Sequence, residues 1–529
     1  MSGIQVSGMI YFISAMVIGF GAFIYSIYKS VNLVKDKRQT IDYKRDYLMK
    51  IIPAICVFAV LFTLGLLSIY IWNSYNATPL NYVEAIFGGL FFALALAIGT
   101  DSFIIHYYKK GLPAKLDKIL YYSLMISIPM VVLFFFIGAS AFSDMCGEHF
   151  LLPYGISFKE GFVRPDSPYK ANIAFYALCI LSGAVFVYFL CDHLLYKEYG
   201  KHGTIDATFL VAFPAGILGA RIAYVIGNWK LDGFDARVAR GEWWSIFAIW
   251  EGGLTILGGA IAGIVVGVLV YIKTNKGRSI FKAVDIIVPT ILLAQAIGRW
   301  GNFFNCEVHG GLVPEQYWYW LPKFIFNNAH YSSASGAGWA PEGYLYAPLF
   351  FIEFLVNLFG YFVLAHLFGI RLKKICAPGD LAFGYVIWYG YTRVFMEPLR
   401  YSAYNMGTDG YWSWLWSLIF VAVGTLLIAV NHIVRYVIKY KKGEKGSYSK
   451  KSNIITGSSL LAISIAFIVI GSVMMSVNQG GLEIALNGHN VGIIFLVSGL
   501  ALFTLFVATL IELILKIKGN NHQLGEANA

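Results

Sequence analysis

The chain is patterned in long apolar runs rather than in the short alternations of a soluble fold. Runs with few charges occur at 9–28, 51–72, 83–107, 118–142, 171–193, 207–227, 250–272, 283–304, 346–369, 380–398, 412–434, 454–477 and 488–515. A helix of about 20 residues crosses roughly 30 Å of hydrocarbon. Backbone amides inside a bilayer find no water, so each run is expected to close its hydrogen bonds as a helix. The pattern predicts an all-α, polytopic helical membrane protein with about 13 transmembrane helices.

Composition agrees and narrows the partners. Hydrophobic residues fill 58% of the 529 positions and charged residues 13%, outside the range of soluble domains. A net charge of +11 would suggest nucleic acid in a soluble protein, yet 29 of the 40 Lys and Arg fall on alternate connections and only seven on the opposite side. That asymmetry places the N-terminus outside and the C-terminus in the cytoplasm. The basic excess is then topological: no nucleic acid is expected, and the lipid bilayer with its anionic inner leaflet is the neighbour. The first run has no basic residue before it and a basic block after it, the reverse of a cleavable signal, so it is expected to be retained. Cys56, Cys146, Cys179, Cys191, Cys306 and Cys376 show no CxxC pairing, so neither a disulfide framework nor a metal site follows, and no cofactor is expected.

Three blocks and a linker are expected. Residues 1–150 form a four-span extension, 151–436 a seven-span core with its preceding outer loop, 437–453 a basic cytoplasmic linker, and 454–529 a two-span extension. The core carries nearly every unusual intramembrane residue.

Four arginines remain once the connections are counted: Arg221, Arg299, Arg393 and Arg400, all on outward-running spans and in the outer half of the membrane. Each costs roughly 2.5–3.5 kcal/mol at a helix centre on insertion scales, and less near the interface. Snorkelling accounts for one or two of them. Four in one block suggest a held anion, because guanidinium forks match phosphate oxygens in pairs, and a phospholipid headgroup is the anion present at that depth.

Acids and amides accompany them. In YGYTRVFMEPLR, Arg393, Glu397 and Arg400 stand at i, i+4 and i+7 on one helical face, subject to distortion by Pro398. Glu397 either orients Arg393 through a salt bridge or takes part in chemistry. In GRWGNFFNCEVHG, Arg299, Asn302 and Asn305 form a polar stripe, while Gly298 and Gly301 would let another backbone approach closely. The stretch WEGGLTILGGAIAG sets Glu251 at the outer start of its span, ahead of glycines that suit helix packing. Aromatic outer segments, QYWYW and YWSWLW among them, suit an interfacial belt.

Gly298 to Gly310 resembles the signature of the bacterial prolipoprotein diacylglyceryl transferases, Gly-Arg-x-Gly-Asn-Phe-x-Asn-x-Glu-x-x-Gly, with all eight fixed positions present. Tyr176, GARIAYV around Arg221, WEGG, Pro348 with Glu353, and Tyr389 to Arg400 follow in family order, over about half the chain. The resemblance implies transfer of the diacylglyceryl group of phosphatidylglycerol to the lipobox cysteine of a prelipoprotein, at the outer face of a bacterial plasma membrane. A thioether forms and glycerol phosphate leaves. It also implies that Arg299 and Arg393 are essential, with Asn302, Glu307, Gly310, Tyr176 and Tyr389 as matching functional positions. The family's seven spans and outer N-terminus agree with the charge count. Two departures stand out: Leu257 occupies the place where the family commonly has a His, proposed as the thiol's base, and Ala347, Pro348, Ile352 and Glu353 replace a His-Pro and Tyr-Glu pattern.

A thiol titrates near 8.5, so forming thiolate at pH 7 costs only about 2 kcal/mol, and nearby arginines lower that further. Charge on the departing phosphate is the harder problem, and preorganised cations suit it. The expected catalytic set is Arg299, Arg393, Glu307, Asn302 and Tyr389, with Arg221, Tyr176, Asn305, Gly310, Glu251, Glu397 and Arg400 as further substrate-binding positions. Glu307, Glu251 and His309 are the candidate proton acceptors. The rival is a phospholipid or anionic-solute transporter, which predicts polar residues continuing into the inner half of the central spans, where few are found. A non-catalytic lipoprotein-binding module would dispense with the arginines, and neither GxSxG nor HExxH occurs for a protease. The flanking spans carry no assigned role, and docking a membrane partner or stabilising the fold is what is expected of them.

Overall fold

The computed structural model describes residues 3–35, 51–73, 79–109, 112–146, 151–157, 161–230, 232–248, 255–334, 336–401, 411–442, 450–477 and 487–527. Its helices in chain order are α1 (Gly3–Lys35), α2 (Ile52–Asn73), α3 (Pro79–Tyr108), α4 (Ala114–Cys146), α5 (Phe175–Tyr199), α6 (Asp206–Gly227), α7 (Phe234–Ala239), α8 (Ile256–Thr274), α9 (Ile280–Asn305), α10 (Lys323–Asn328), α11 (Leu349–Tyr361), α12 (Asp380–Met396), α13 (Tyr411–Lys441), α14 (Lys450–Val477) and α15 (Gly488–Ala527). α11 continues into a π-helical segment, Phe362–Arg371. Each predicted apolar run overlaps one of these helices, with residues 250–254 of the run 250–272 outside the described ones. Among the described residues, nine helices are long and apolar enough to cross a membrane by length and composition. Exposed Leu210, Ile226, Ile264 and Leu269 fit a surface that faces lipid rather than water.

Two compact units result. The first gathers residues 1–153, 163–168 and 312–347. Its core is aliphatic and aromatic, with Ile51, Ile55, Phe58, Ala93, Ala97 and Ile105 fully or almost fully buried, and Phe23 stacks on Phe58 with ring centroids 4.8 Å apart. The excursion Leu312–Ala347 is the irregular part of this unit. Leu312–Pro314 pairs antiparallel with Tyr344–Tyr346, and Tyr331–Ser332 with Gly338–Trp339.

The second unit comprises residues 154–162, 169–311 and 348–529. Its helices approach one another through small residues, as expected where lipid offers no hydrophobic drive for association. A Cβ on Gly258 would lie 2.2 Å from the Ala223 Cβ, and one on Gly219 would lie 2.2 Å from the Ala262 Cβ, so α6 and α8 touch nearly backbone to backbone. α12 meets α13 similarly, with the Ser417 carbonyl 2.7 Å from where a Gly390 Cβ would stand. The expected twin role of Gly298 and Gly301 divides. Gly301 sits against Tyr176 of α5, whose Cα would be 3.0 Å from an added Cβ, whereas Gly298 faces open space.

At the other end of this unit, α9 holds the start of α12. Asp285 accepts from the backbone amides of Gly379 at 2.6 Å, Leu381 at 2.9 Å and Ala382 at 3.2 Å, satisfying donors that a helix N-terminus leaves orphaned. Asp380, His432 and Asn431 close a second polar cluster, with His432 Nε2 2.6 Å and Asn431 Nδ2 2.8 Å from the Asp380 carboxylate. α12 is thus anchored at its first turn, which fixes where its far end delivers Arg393. Gly258→Val is expected to cost about 1–3 kcal/mol by forcing α6 and α8 apart, read as a lower thermal unfolding midpoint in detergent. Gly227→Ala, which meets nothing within 4 Å, is expected to leave that midpoint unchanged.

Candidate functional site

α9 ends in a backbone reversal. Cys306 takes the left-handed conformation at φ 51, its amide donates to Phe303 O at 3.1 Å, and the Glu307 amide donates to Asn302 O at 3.0 Å. This is the bond pair of a Schellman cap, with Cys where Gly is usual. Val308 follows at φ 55, a conformation that costs a β-branched residue of the order of 1–2 kcal/mol. The reversal returns the Glu307 carboxylate to the helix it has just left. Its Oε1 accepts from Asn302 Nδ2 at 3.1 Å and from Asn305 Nδ2 at 3.2 Å. The chain then runs on to pair Gly310 with Arg400 in an antiparallel bridge, and the Tyr401 amide donates to His309 O at 3.1 Å.

The arginines join through carboxylates. Glu353, one turn into α11, pairs with Arg299 Nε through Oε2 and accepts from Arg400 through Oε1 at 3.2 Å. Glu397 pairs with Arg393, lies 3.5 Å from Arg400 Nε, and accepts from Ser413 Oγ at 2.8 Å. Arg299 also donates to Asn302 Oδ1 at 3.2 Å. The network therefore runs Glu307, Asn302, Arg299, Glu353, Arg400, Glu397, Arg393, with three guanidiniums against two deeply buried acids and one positive charge in surplus before Glu307 is counted.

Exposure separates the three arginines. The side chains of Arg299 and Arg393 are 19% and 17% accessible, that of Arg400 8%, and those of Glu353 and Glu397 3% and 2%. Arg299 and Arg393 can meet a ligand, while Arg400 is the inner tie between the acids. Trp300 fixes α9 against α11 by edge contacts with Phe350 and Phe354 at 5.7 and 5.5 Å between centroids.

Arg221 is placed otherwise. It is almost wholly buried, donates to Ser245 O at 2.7 Å and Ile246 O at 3.2 Å, and lies over the rings of Phe234 and Tyr224. Its guanidinium holds the Trp243–Phe247 turn, giving two buried carbonyls the donors they need. The shared face expected for Arg393, Glu397 and Arg400 also changes beyond Pro398: α12 ends at Met396, Glu397–Leu399 is a 3₁₀ turn, and Arg400 is extended.

Tyr176 packs on Gly301 within electrostatic reach of Glu307 and Arg299. Tyr389 is held by rings, stacked with Tyr385 at 6.3 Å and edge-on to Phe420 at 5.9 Å. Glu251 lies outside the described residues. Burial pushes the Glu307 carboxyl above the usual carboxylate range, against the two amides that favour its charge. His309 is buried and pushed below the usual imidazole range, so it is neutral at pH 7. Its Nδ1 lies 2.8 Å from Gly310 O, which fixes the tautomer with Nε2 as acceptor.

Two contributors escaped the sequence reading. Glu353 entered it only as a position in the resemblance, although an acid one turn into an apolar span is a functional signal in itself. Ser413 was folded into an aromatic belt, and only the approach of α13 to α12 reveals its bond to Glu397.

A helical membrane protein with an arginine–carboxylate network at one end of its central helices defines the class. The family model described as prolipoprotein diacylglyceryl transferase matches residues 168–430. Relatives named phosphatidylglycerol–prolipoprotein diacylglyceryl transferase include those of Clostridium novyi, 34% identical over 269 residues, and Streptococcus pyogenes, 36% identical over 288 residues. These alignments take in 50% and 52% of this chain and 93% and 94% of the relatives. The chain belongs to the prolipoprotein diacylglyceryl transferase family.

Glu353→Ala is expected to cost about 3–5 kcal/mol, since it strips Arg299 and Arg400 of the buried carboxylate that pairs with both. Thermal unfolding checks this, and Glu353→Gln is expected to lose less.

Proposed function

We propose that this chain transfers the diacylglyceryl group of phosphatidylglycerol to the lipobox cysteine of a prelipoprotein, at the outer leaflet of a bacterial plasma membrane, with its N-terminus outside and its C-terminus in the cytoplasm. Residues 151–436 are the catalytic core in this reading, flanked by extensions at 1–150 and 454–529 and a basic linker at 437–453. The observation that carries it is the surplus guanidinium charge, with Arg299 and Arg393 accessible and their carboxylate partners buried.

In this reading the headgroup phosphate lies against Arg299 and Arg393. The thiolate attacks the diacylglyceryl carbon, a C–S bond forms, the C–O bond to phosphate breaks, and its electron pair stays on the phosphate oxygen. The donor arrives as a monoanion and leaves as glycerol phosphate with a further negative charge. Fixed cations stabilise that gain more than they stabilise the ground state, the condition for lowering the barrier. Arg400 sets the spacing of Glu353 and Glu397, and so of the two outer arginines. The thiol proton goes to Glu307, whose raised pKa suits a base better than an ordinary carboxylate does. Asn302 bonds both Arg299 and Glu307, which keeps cation and base in register.

Reconstitution with phosphatidylglycerol and a lipobox peptide tests the reading by mass spectrometry. A gain of diacylglycerol on cysteine is expected, and no gain with lipid and peptide in excess would overturn it. Arg299→Lys is expected to lower transfer at least about 100-fold, because a point charge does not replace a two-pronged donor. A base with a raised pKa loses activity as pH falls through that value, so the acid limb of the rate profile should lie above the ordinary carboxylate range, and Glu307→Gln should lower the rate and abolish that limb.

A further inference from the structure

The two C-terminal helices lie beyond the region that matches the family model, residues 168–430. The Clostridium novyi relative is matched over 93% of its length by 269 residues, which leaves roughly 20 residues, too few for two spans of about 20 each. α14 and α15 are therefore an addition peculiar to this chain against that relative, and what α15 touches is informative.

α15 packs along α13 and, through side chains, reaches α12, the helix that carries Arg393. Ile494 joins Val394, Trp414 and Leu418 in one buried cluster, against which Tyr391, Tyr411, Ile493 and Val497 are packed. Tyr391 Oη and Ser498 Oγ are 2.6 Å apart. Ser498 has one hydroxyl proton and gives it to Ile494 O at 2.7 Å, so Tyr391 is the donor. The same cluster reaches the site from behind, where Trp414 Nε1 donates to Val394 O at 3.2 Å. Ser413, the residue before Trp414, bonds the Glu397 carboxylate.

Helix geometry turns these contacts into a constraint. Successive residues are about 100° apart, so Tyr391 and Arg393 project to nearly opposite sides of α12. A roll of about 20° about the axis would move a side-chain tip by roughly 2 Å at the helix surface, and displacements of about 1 Å can cost a hundredfold in rate. Asp285 fixes the first turn of α12, α13 holds its flank at Gly390, and the tether to Ser498 adds a restraint on its rotation two residues from Arg393.

We propose that α15 is a positioning element for the arginine site, acting through the Tyr391–Ser498 hydrogen bond to hold Arg393 and Glu397 at their working orientation. The proposal rests on the transferase reading for its activity readout. Tyr391→Phe removes the tether without opening a cavity and leaves Ser498 bonded to Ile494 O, so it separates orientation from stability.

The test uses the full chain in phosphatidylglycerol vesicles with a lipobox peptide. Tyr391→Phe and Ser498→Ala are expected to lower kcat roughly five- to thirtyfold with the peptide KM unchanged and, for Tyr391→Phe, the unfolding midpoint within about 2 °C of the unaltered protein. Ser498→Thr, which keeps the hydroxyl, is expected to restore most of the rate. Glycerol phosphate affinity, read without turnover from its shift of the unfolding midpoint, is expected to weaken at least about threefold in both tether variants. Unchanged rate and anion affinity in Tyr391→Phe overturn the proposal, as does a loss of rate matched by a loss of stability. If the unaltered protein transfers nothing while the variants still weaken anion binding, the transferase reading fails and the positioning role stands.

Discussion

Glu353 lies between two guanidiniums, paired with Arg299 at the end of α9 and with Arg400 beyond the end of α12. A buried carboxylate costs several kcal/mol in lost hydration, and only close cations with good geometry repay it. The pairing therefore obliges the ends of three helices to converge. Once Arg400 is committed to Glu353 it also stands beside Glu397, and Glu397 in turn holds Arg393. One buried acid on α11 thus fixes the relative placement of the two accessible arginines, which lie on helices far apart in sequence.

The backbone is bent to serve the same end. Cys306 and Val308 adopt left-handed conformations that neither residue type favours. That strain is sustained by the bonds it permits, from Glu307 to Asn302 and Asn305, and from the following segment to Arg400 and Tyr401. A continuing helix would have carried Glu307 away from Arg299. Strain of this kind gathers where geometry matters more than local stability.

The proposed chemistry asks for little besides positioned charge. Forming a thiolate near neutral pH is cheap, whereas collecting negative charge on a departing phosphate in a water-poor site is not. Once Glu307 holds the thiol proton, the network has one cation in surplus, which answers the second need. The helix–helix contacts through Gly219, Gly258 and Gly390, together with the Asp285 cap on α12, keep that network from relaxing into more favourable pairings of its own.

The sequence alone determined the helices, because twenty apolar residues in a bilayer have no other way to satisfy their backbone. It also supplied the residue types of the site, since arginines and amides at membrane depth are too costly to be incidental, and the segment 298–310 was specific enough to name the family. Partnership was beyond it. Arg221, Arg299, Arg393 and Arg400 look alike as costly cations in a linear text, yet one props a turn with its guanidinium, one ties two acids together, and two reach the accessible side. Glu353 stood out as an acid in an apolar span but without partners, and Ser413 was an ordinary member of an aromatic run, until neighbouring helices were laid beside them. Burial and pairing are properties of surfaces brought together from distant parts of the chain, and only the tertiary structure decides which charge meets which.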